Sequence, residues 1–175
     1  MSSEILEEKI RKEFPSYKII SSTTKNIKDV LLLNKELEKN YFLVVPDIFF
    51  NNNFFLLDQI NHKEKCEILL NDTCYYNCPN RKEHYEFNGL ANKGLVNPCD
   101  FHCIYPEIKD QCFYELLETN NSHIKVEDLY NKYIPAGFTN FKIMGRDYSD
   151  AMILEFYIYY MVQPKYKDLV RNKII

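Results

Sequence analysis

The chain has 175 residues, of which 46% are hydrophobic and 27% charged, so it is long enough for a domain with its own core and is too apolar to be largely disordered. Its formal net charge of −3 excludes the basic excess typical of general nucleic-acid binders. We predict a single α/β domain over 1–175, with an N-terminal helix at 2–14, βα units at 17–162 and a C-terminal tail at 163–175.

No apolar run approaches the ~20 residues that a membrane helix needs. The first residues, MSSEILEEKIRKEF, also lack the apolar segment of a secretory signal. We therefore expect a cytoplasmic protein without membrane contact. In that compartment the six cysteines are expected to be mostly thiols rather than disulfides.

The first half of the chain alternates between helix and strand patterns. Residues 3–13 carry an apolar stripe, and Ser3 can cap their helix. Short apolar runs are typical of strands buried on both faces. The predicted strands are 17–22, 41–46 and 65–70, and the predicted helices between them are 26–39, with Asn26 as cap, and 54–60. This alternation predicts right-handed βαβ units and a parallel sheet.

The second half has a weaker strand pattern and more loop. Helices are predicted at about 81–90, 108–119, 127–132 and 148–162, and strands at 124–126 and 141–144. Five strands are too few for a closed eight-stranded barrel. The predicted fold is therefore an α/β fold with a mostly parallel sheet of about five strands and flanking helices, either an open sheet or a half TIM-type barrel.

A cysteine-rich loop, residues 71–84 (NDTCYYNCPNRKEH), follows the third predicted strand. Ligands usually bind at the carboxyl ends of parallel strands. Cys74 and Cys78 are three residues apart, as are Cys99 and Cys103 in a later loop. Four thiolates from two loops can hold a [4Fe–4S] cluster or zinc.

Buried apolar thiols are the alternative interpretation of these cysteines, because free cysteine is a common core residue. We expect that simpler role for Cys66 and Cys112, which lie in a predicted strand and a predicted helix. The first expectation for the whole chain is that it has no cofactor, with the iron–sulfur cluster or zinc as alternatives.

Four polar residues are candidate binding residues at the same sheet edge: Asn71, Arg81, His84 and Arg146. Arg81 and His84 share a helix face. Arg81 can hold a carboxylate or phosphate with two hydrogen bonds, and His84 can carry a proton near neutral pH. The alternative is a solvated helix face, with Arg146 in a salt bridge to a neighbouring aspartate. We assign no catalytic residue.

Two segments, NDTCYYNCPNRKEHY and GFTNFKIMGRDYS, together with NPCD around Cys99, resemble the C-terminal part of U32-peptidase-like proteins over roughly residues 40–162. A looser similarity is to radical-SAM barrels, whose Cys-x3-Cys-x2-Cys motif is absent here. The resemblance implies the C-terminal half of a (β/α) barrel. In some members it also implies a [4Fe–4S] cluster on four cysteines.

Three functional hypotheses follow from these patterns. The first is a non-catalytic binding protein on a truncated enzyme fold, which contacts a protein partner and not nucleic acid directly. The specific expectation is a phage or mobile-element inhibitor of a CRISPR-type, nucleic-acid-guided nuclease (an anti-CRISPR protein). The second is an iron–sulfur or zinc U32-like enzyme, or half of one, acting on a small anionic or peptide substrate. The third is a structural zinc domain.

Overall fold

The computed structural model describes residues 3–106, 111–145 and 148–174. Arg146, predicted to contact an anion, lies outside these ranges. The helices are α1 (Glu4–Glu13), α2 (Val30–Glu38), α3 (Phe54–Leu57), α4 (Arg81–Ala91), α5 (Phe113–Thr119), α6 (Val126–Asp128, followed by a π-helix at Leu129–Tyr133), α7 (Asp150–Met161) and α8 (Lys167–Ile174). The strands are β1 (Ile20–Ser21), β2 (Leu43–Val44), β3 (Glu67–Leu69) and β4 (Asn140–Lys142).

The described strands are parallel and follow one another in chain order. β1 pairs with β2, and β3 pairs with β4. A single parallel bridge between Val44 and Cys66 links the two pairs. The α/β class and the parallel pairing are as predicted. The residues that the structure describes form four short strands, and not the predicted sheet of about five strands or half TIM-type barrel.

The predicted strand 124–126 is the one that is missing. Ile124 donates its N–H to the Leu70 carbonyl at 2.9 Å, and His123 forms an antiparallel bridge with Asn71. The chain then turns directly into α6 at Val126, so no ladder can develop. The strands that do form are also shorter than predicted. β2 cannot continue through Pro46, because proline has no N–H to donate to a ladder.

The sheet has two unequal faces, because side chains alternate along each strand. On the helix-covered face, Val44, Cys66, Ile68 and Leu70 join the main core with side chains from the helices Leu33, Leu37, Leu57, Phe113, Leu117, Tyr133, Phe156 and Tyr160. The opposite face, here called the second face, has a small cluster of Val45, Ile48 and Leu69. Burial of a large apolar side chain contributes roughly 1.5–3 kcal/mol, so the helix-covered face supplies most of the stability.

Helix ends follow local capping chemistry. Ser3 caps α1 as predicted, its hydroxyl accepting from the Leu6 N–H. α2 begins four residues later than predicted and is capped by Asp29. Asn26 instead takes a left-handed conformation, φ 52°, and ends a preceding 3₁₀ turn. No helix within the described residues is both long and apolar enough to cross a membrane.

Candidate functional site

Two buried aspartates follow the carboxyl ends of β2 and β3, and one arginine joins them. Arg81, the first residue of α4, is 2% exposed. Its Nε donates to Asp47 Oδ2 at 3.1 Å. Its Nη1 and Nη2 donate to Asp72 Oδ1 and Oδ2 at 3.2 and 3.0 Å. Arg81, which was predicted to hold a ligand anion, therefore binds carboxylates of its own chain.

The electrostatics of this cluster favour the charged form of Arg81. Burial alone would lower the pKa of Arg81, but Asp72 and then Asp47 raise it above its ordinary value. The remaining carboxylate lone pairs are also used, since Asp47 accepts from the Phe49 N–H at 2.9 Å and Asp72 from the Cys74 N–H at 2.8 Å. A buried ion pair is tolerated when its charges are matched and hydrogen-bonded in this way. The cluster ties the cysteine loop to two strands.

The first cysteine pair packs as apolar side chains in this arrangement. Cys74 is half-buried against the cluster of the second face, and Cys78 is buried. Burial raises the pKa of Cys74 to about 11, although the Arg81 guanidinium acts in the opposite direction. At neutral pH the Cys74 side chain is therefore a thiol, and a thiol is a weak nucleophile and a weak metal ligand.

The second cysteine pair lies on a loop that touches the first. Cys99 is exposed, and Cys103 Sγ accepts from the Tyr105 N–H at 3.4 Å. The Tyr105 ring stacks on Tyr75 with centroids 4.3 Å apart, so the two cysteine loops are in contact.

The donor groups of these loops do not form a preformed metal site. Within residues 3–106, 111–145 and 148–174, no group of three or more His, Cys, Asp or Glu is placed to hold a metal ion. The four thiols thus do not fit a cluster or zinc in this arrangement, and metal binding stays a prediction. Of the other two cysteines, Cys66 is buried as expected, with its pKa raised to about 12 by burial, whereas Cys112 is exposed just before α5.

His84 and Asn71 have separate surroundings from Arg81. The half-buried His84 ring stacks on Phe101, with centroids 4.3 Å apart, so it contacts the second cysteine loop. Asn71 is fully buried and exchanges two hydrogen bonds with the backbone of Met144, at 3.0 and 2.8 Å. Asn71 therefore ties the loop after β3 to the end of β4 and is not available to a ligand.

A buried Ser–His pair was not predicted. Ser122 Oγ donates to the Asp72 carbonyl at 3.2 Å and lies 3.0 Å from His123 Nδ1, which must then donate to it. His123 Nε2 is buried without a hydrogen-bond partner among the described atoms. Burial lowers the pKa of His123 to about 4, against the opposing charge of Asp72. In the sequence, this pair is indicated only by a serine and a histidine at adjacent positions.

The pair has the chemical composition of a nucleophile and its base, but it has no access to substrate. Ser122 is 0% exposed and His123 is 1% exposed. Nucleophilic catalysis needs a side chain that substrate can reach. The described geometry therefore assigns Ser122 and His123 to the interior beneath Asp72.

Comparison with known proteins adds one similarity. No family model matches the chain, and no solved structure matches it. Over 117 aligned residues the chain is 32% identical to an uncharacterized protease of Methanocaldococcus jannaschii. The alignment covers 63% of this chain and 33% of that protein, so the chain spans about a third of its relative's length.

Proposed function

We propose that this chain is a non-catalytic binding protein, built on an α/β fold related to U32-peptidase-like proteins. The similarity to a protein named as a protease, together with the cysteine-loop segment at 71–85, supports that relationship. The alignment covers only 33% of that relative, so its activity does not transfer to this chain by similarity alone.

One observation carries the proposal: Arg81, the best candidate for holding a substrate anion, is buried and already paired with Asp47 and Asp72. The other reactive groups nearby are restrained in the same way. Cys74 is protonated at neutral pH, and Ser122 and His123 are inaccessible. The polar residues at this sheet edge therefore stabilise the fold. We infer that the partner binds to the outer surface of the protein instead.

A protease assay tests the absence of catalysis. The purified chain is incubated with labelled casein and with a mixed peptide library, and released amines are measured. We expect no release above the buffer rate. Hydrolysis that disappears in Cys74→Ser or Ser122→Ala, but persists in the exposed control Cys112→Ser, would overturn the proposal, provided that circular dichroism shows all variants folded.

The proposed partner is a protein, and the specific candidate remains an RNA-guided defence nuclease. The mildly acidic charge of −3 favours contact with a basic groove over direct nucleic-acid binding. The chain is titrated into DNA cleavage by a purified CRISPR-type nuclease, and its own DNA binding is measured by gel shift. We expect inhibition without a shift. Undiminished cleavage at a large excess of the chain would exclude this candidate.

Metal binding is the second candidate, and the stacking of Tyr75 on Tyr105 favours it because it brings the two cysteine loops together. Binding would require Cys74, Cys78, Cys99 and Cys103 to converge further. Anaerobic purification followed by iron, sulfide and zinc analysis tests this directly. Bound metal that is lost in Cys74→Ser but kept in Cys112→Ser would support the site. A colourless, metal-free and fully folded protein would exclude both the iron–sulfur and the zinc hypotheses.

A further inference from the structure

A cavity, here called the α6–α7 cavity, lies between α6 with its π-helix and the turn that joins α7 to α8. It encloses about 300 Å³, and apolar side chains form most of its wall: Val126, Tyr130, Met161, Val162 and Pro164. None of its lining residues belongs to the Arg81 cluster or to the cysteine loops. Pockets that bind small molecules begin at about this volume and have mostly apolar walls. The cavity is therefore a candidate binding site of its own.

Two tyrosine hydroxyl groups hold the walls of this cavity together. The Val126 N–H donates to the Tyr159 hydroxyl at 3.2 Å, and the Tyr130 hydroxyl donates to the Tyr160 carbonyl at 3.3 Å. Both hydrogen bonds join α6 or its π-helix to α7, so the walls are in place without a ligand. Tyr130 also lies in the π-helix, and short π-helical turns are frequent at functional sites. A cavity formed in advance binds its ligand at a lower cost in conformational entropy.

One carboxylate and one ammonium group also line the cavity, those of Glu127 and Lys167. The Lys167 Nζ lies 4.5 Å from the centroid of the Tyr159 ring, a cation–π contact that holds the ammonium group at the wall. Within the part of the chain that the structure describes, Glu127 and Lys167 form no ion pair, either with each other or with another residue. Both charges are therefore open to a ligand in the cavity.

The charge pattern of the wall selects the kind of ligand. Charged side chains elsewhere on these helices are paired: Lys125 with Glu118, Lys132 with Asp128 and Arg171 with Glu155. A ligand with a single charge would be attracted by one of Glu127 and Lys167 and repelled by the other. A ligand with one ammonium and one carboxylate group matches both, and like charges that meet in a site lower the affinity for other ligands.

We propose that the α6–α7 cavity binds a free α-amino acid with a large apolar side chain, such as phenylalanine. Lys167 binds the carboxylate of the ligand, Glu127 binds its ammonium group, and the apolar wall contacts its side chain. An apolar cavity of about 150 Å³ holds one benzene ring, so about 300 Å³ has room for a ring together with the zwitterionic group. The proposal does not rest on the proposed protein partner, and either can fail without the other.

Isothermal titration calorimetry on the full chain tests the ligand class. The titrations are done at about pH 6, where an α-amino group with a pKa of about 7.7–8.0 is charged. We expect L-phenylalanine to bind, and L-phenylalaninamide and 3-phenylpropanoate, which each lack one charge, to bind about fivefold more weakly. L-serine has both charges but no apolar side chain and should not bind. No binding of L-phenylalanine at millimolar concentration would overturn the proposal, and so would equal affinity for the amide, the result expected of a site for peptide N-termini.

Two charge variants locate the ligand in the cavity. In Lys167→Met the carboxylate of the ligand loses its partner, so L-phenylalanine and its amide should bind with equal affinity. In Glu127→Gln the same should hold for L-phenylalanine and 3-phenylpropanoate. Lys165→Met is the control, because Lys165 is an exposed lysine two residues from Lys167 that does not line the cavity, and it should bind all ligands as the wild type does. Circular dichroism checks folding. Variants that leave L-phenylalanine binding unchanged, or that weaken all three ligands equally, would contradict the proposed contacts.

Discussion

At the scale of single residues, Arg81 has the sequence context of an exposed binding residue but lies in the protein interior. Its position at the start of a helix after a buried strand predicts an anion contact, and the structure provides that anion from Asp72 and Asp47. A guanidinium that is 2% exposed must be paired, because an uncompensated buried charge is very costly. The ion pair between Arg81 and Asp72 therefore helps to hold the cysteine loop in place.

Replacing Arg81 with Met should destabilise the protein by roughly 3–5 kcal/mol, since two buried carboxylates lose their counter-ion. Arg171→Met is the matched control, because Arg171 pairs with Glu155 near the surface. An exposed ion pair contributes only about 0–1 kcal/mol. Urea unfolding at pH 7 measures both changes. Equal losses in the free energy of unfolding of the two variants would show that the buried Arg81 ion pairs stabilise the fold no more than an exposed ion pair does.

At the scale of elements, buried amide side chains extend strands that are only two or three residues long. Asn71 continues the link between β3 and β4 through two hydrogen bonds to Met144. Asn51 donates to the carbonyls of Leu69 and Ser122, both at 2.9 Å. Each buried carbonyl or N–H needs a partner, so side chains supply what the short ladders cannot. The sheet is therefore sensitive to asparagine substitutions beyond its strand ends.

Asn71→Ala should cost about 1–3 kcal/mol, because it leaves the Met144 N–H and carbonyl unpaired. Hydrogen exchange should also accelerate at the Met144 amide. The control is Asn140→Ala, which removes an exposed amide that donates to the Glu64 carbonyl and should have a smaller effect. Thermal unfolding and exchange together provide the measurement. Unchanged exchange at Met144 would contradict a role for Asn71 in joining β3 to β4.

At the scale of the whole molecule, buried titratable groups make stability depend on pH. Burial lowers the pKa of His123 to about 4. In the unfolded chain a histidine has a pKa of about 6.5. Between pH 6.5 and pH 4 the unfolded state therefore binds a proton that the folded state does not bind. Burial opposes ionisation of Glu36, but hydrogen bonds from Lys25, Lys39 and Ser21 outweigh it and lower its pKa to about 2. Both groups favour the folded state above their unfolded pKa values.

Stability should therefore fall as the pH decreases from about 6.5 to about 4 through His123, and from about 4.5 to about 2 through Glu36. As the pH decreases from 7 to 5, His123 should lower the free energy of unfolding by about 2 kcal/mol. His123→Gln should flatten that part of the curve, while His62→Gln, at an exposed position, should leave it unchanged. Urea unfolding at several pH values provides the curve. A wild-type curve that is flat from pH 7 to pH 5 would contradict a buried neutral His123.

Local features were predictable because their causes lie within a few residues. Ser3 and the stripe of α1 specify a helix start, and the apolar runs of β2 and β3 specify buried strands. The prediction of a strand at 124–126 was wrong, because a pattern of three residues does not show whether a second strand will pair with them. The placement of Asn71 and Arg81 near the carboxyl edge of the sheet was predictable, whereas their partners were not.

The α/β class, the alternation of helix and strand, and the position of the cysteine loop after a strand all follow from local sequence patterns. The burial of Arg81 and the position of Ser122 and His123 beneath Asp72 became visible in the folded chain alone. The physical reason is that pairing and burial depend on residues distant in the chain. Asp47 is 34 positions from Arg81, and Ser122 is 50 positions from Asp72. No local pattern of charge or hydropathy encodes such contacts.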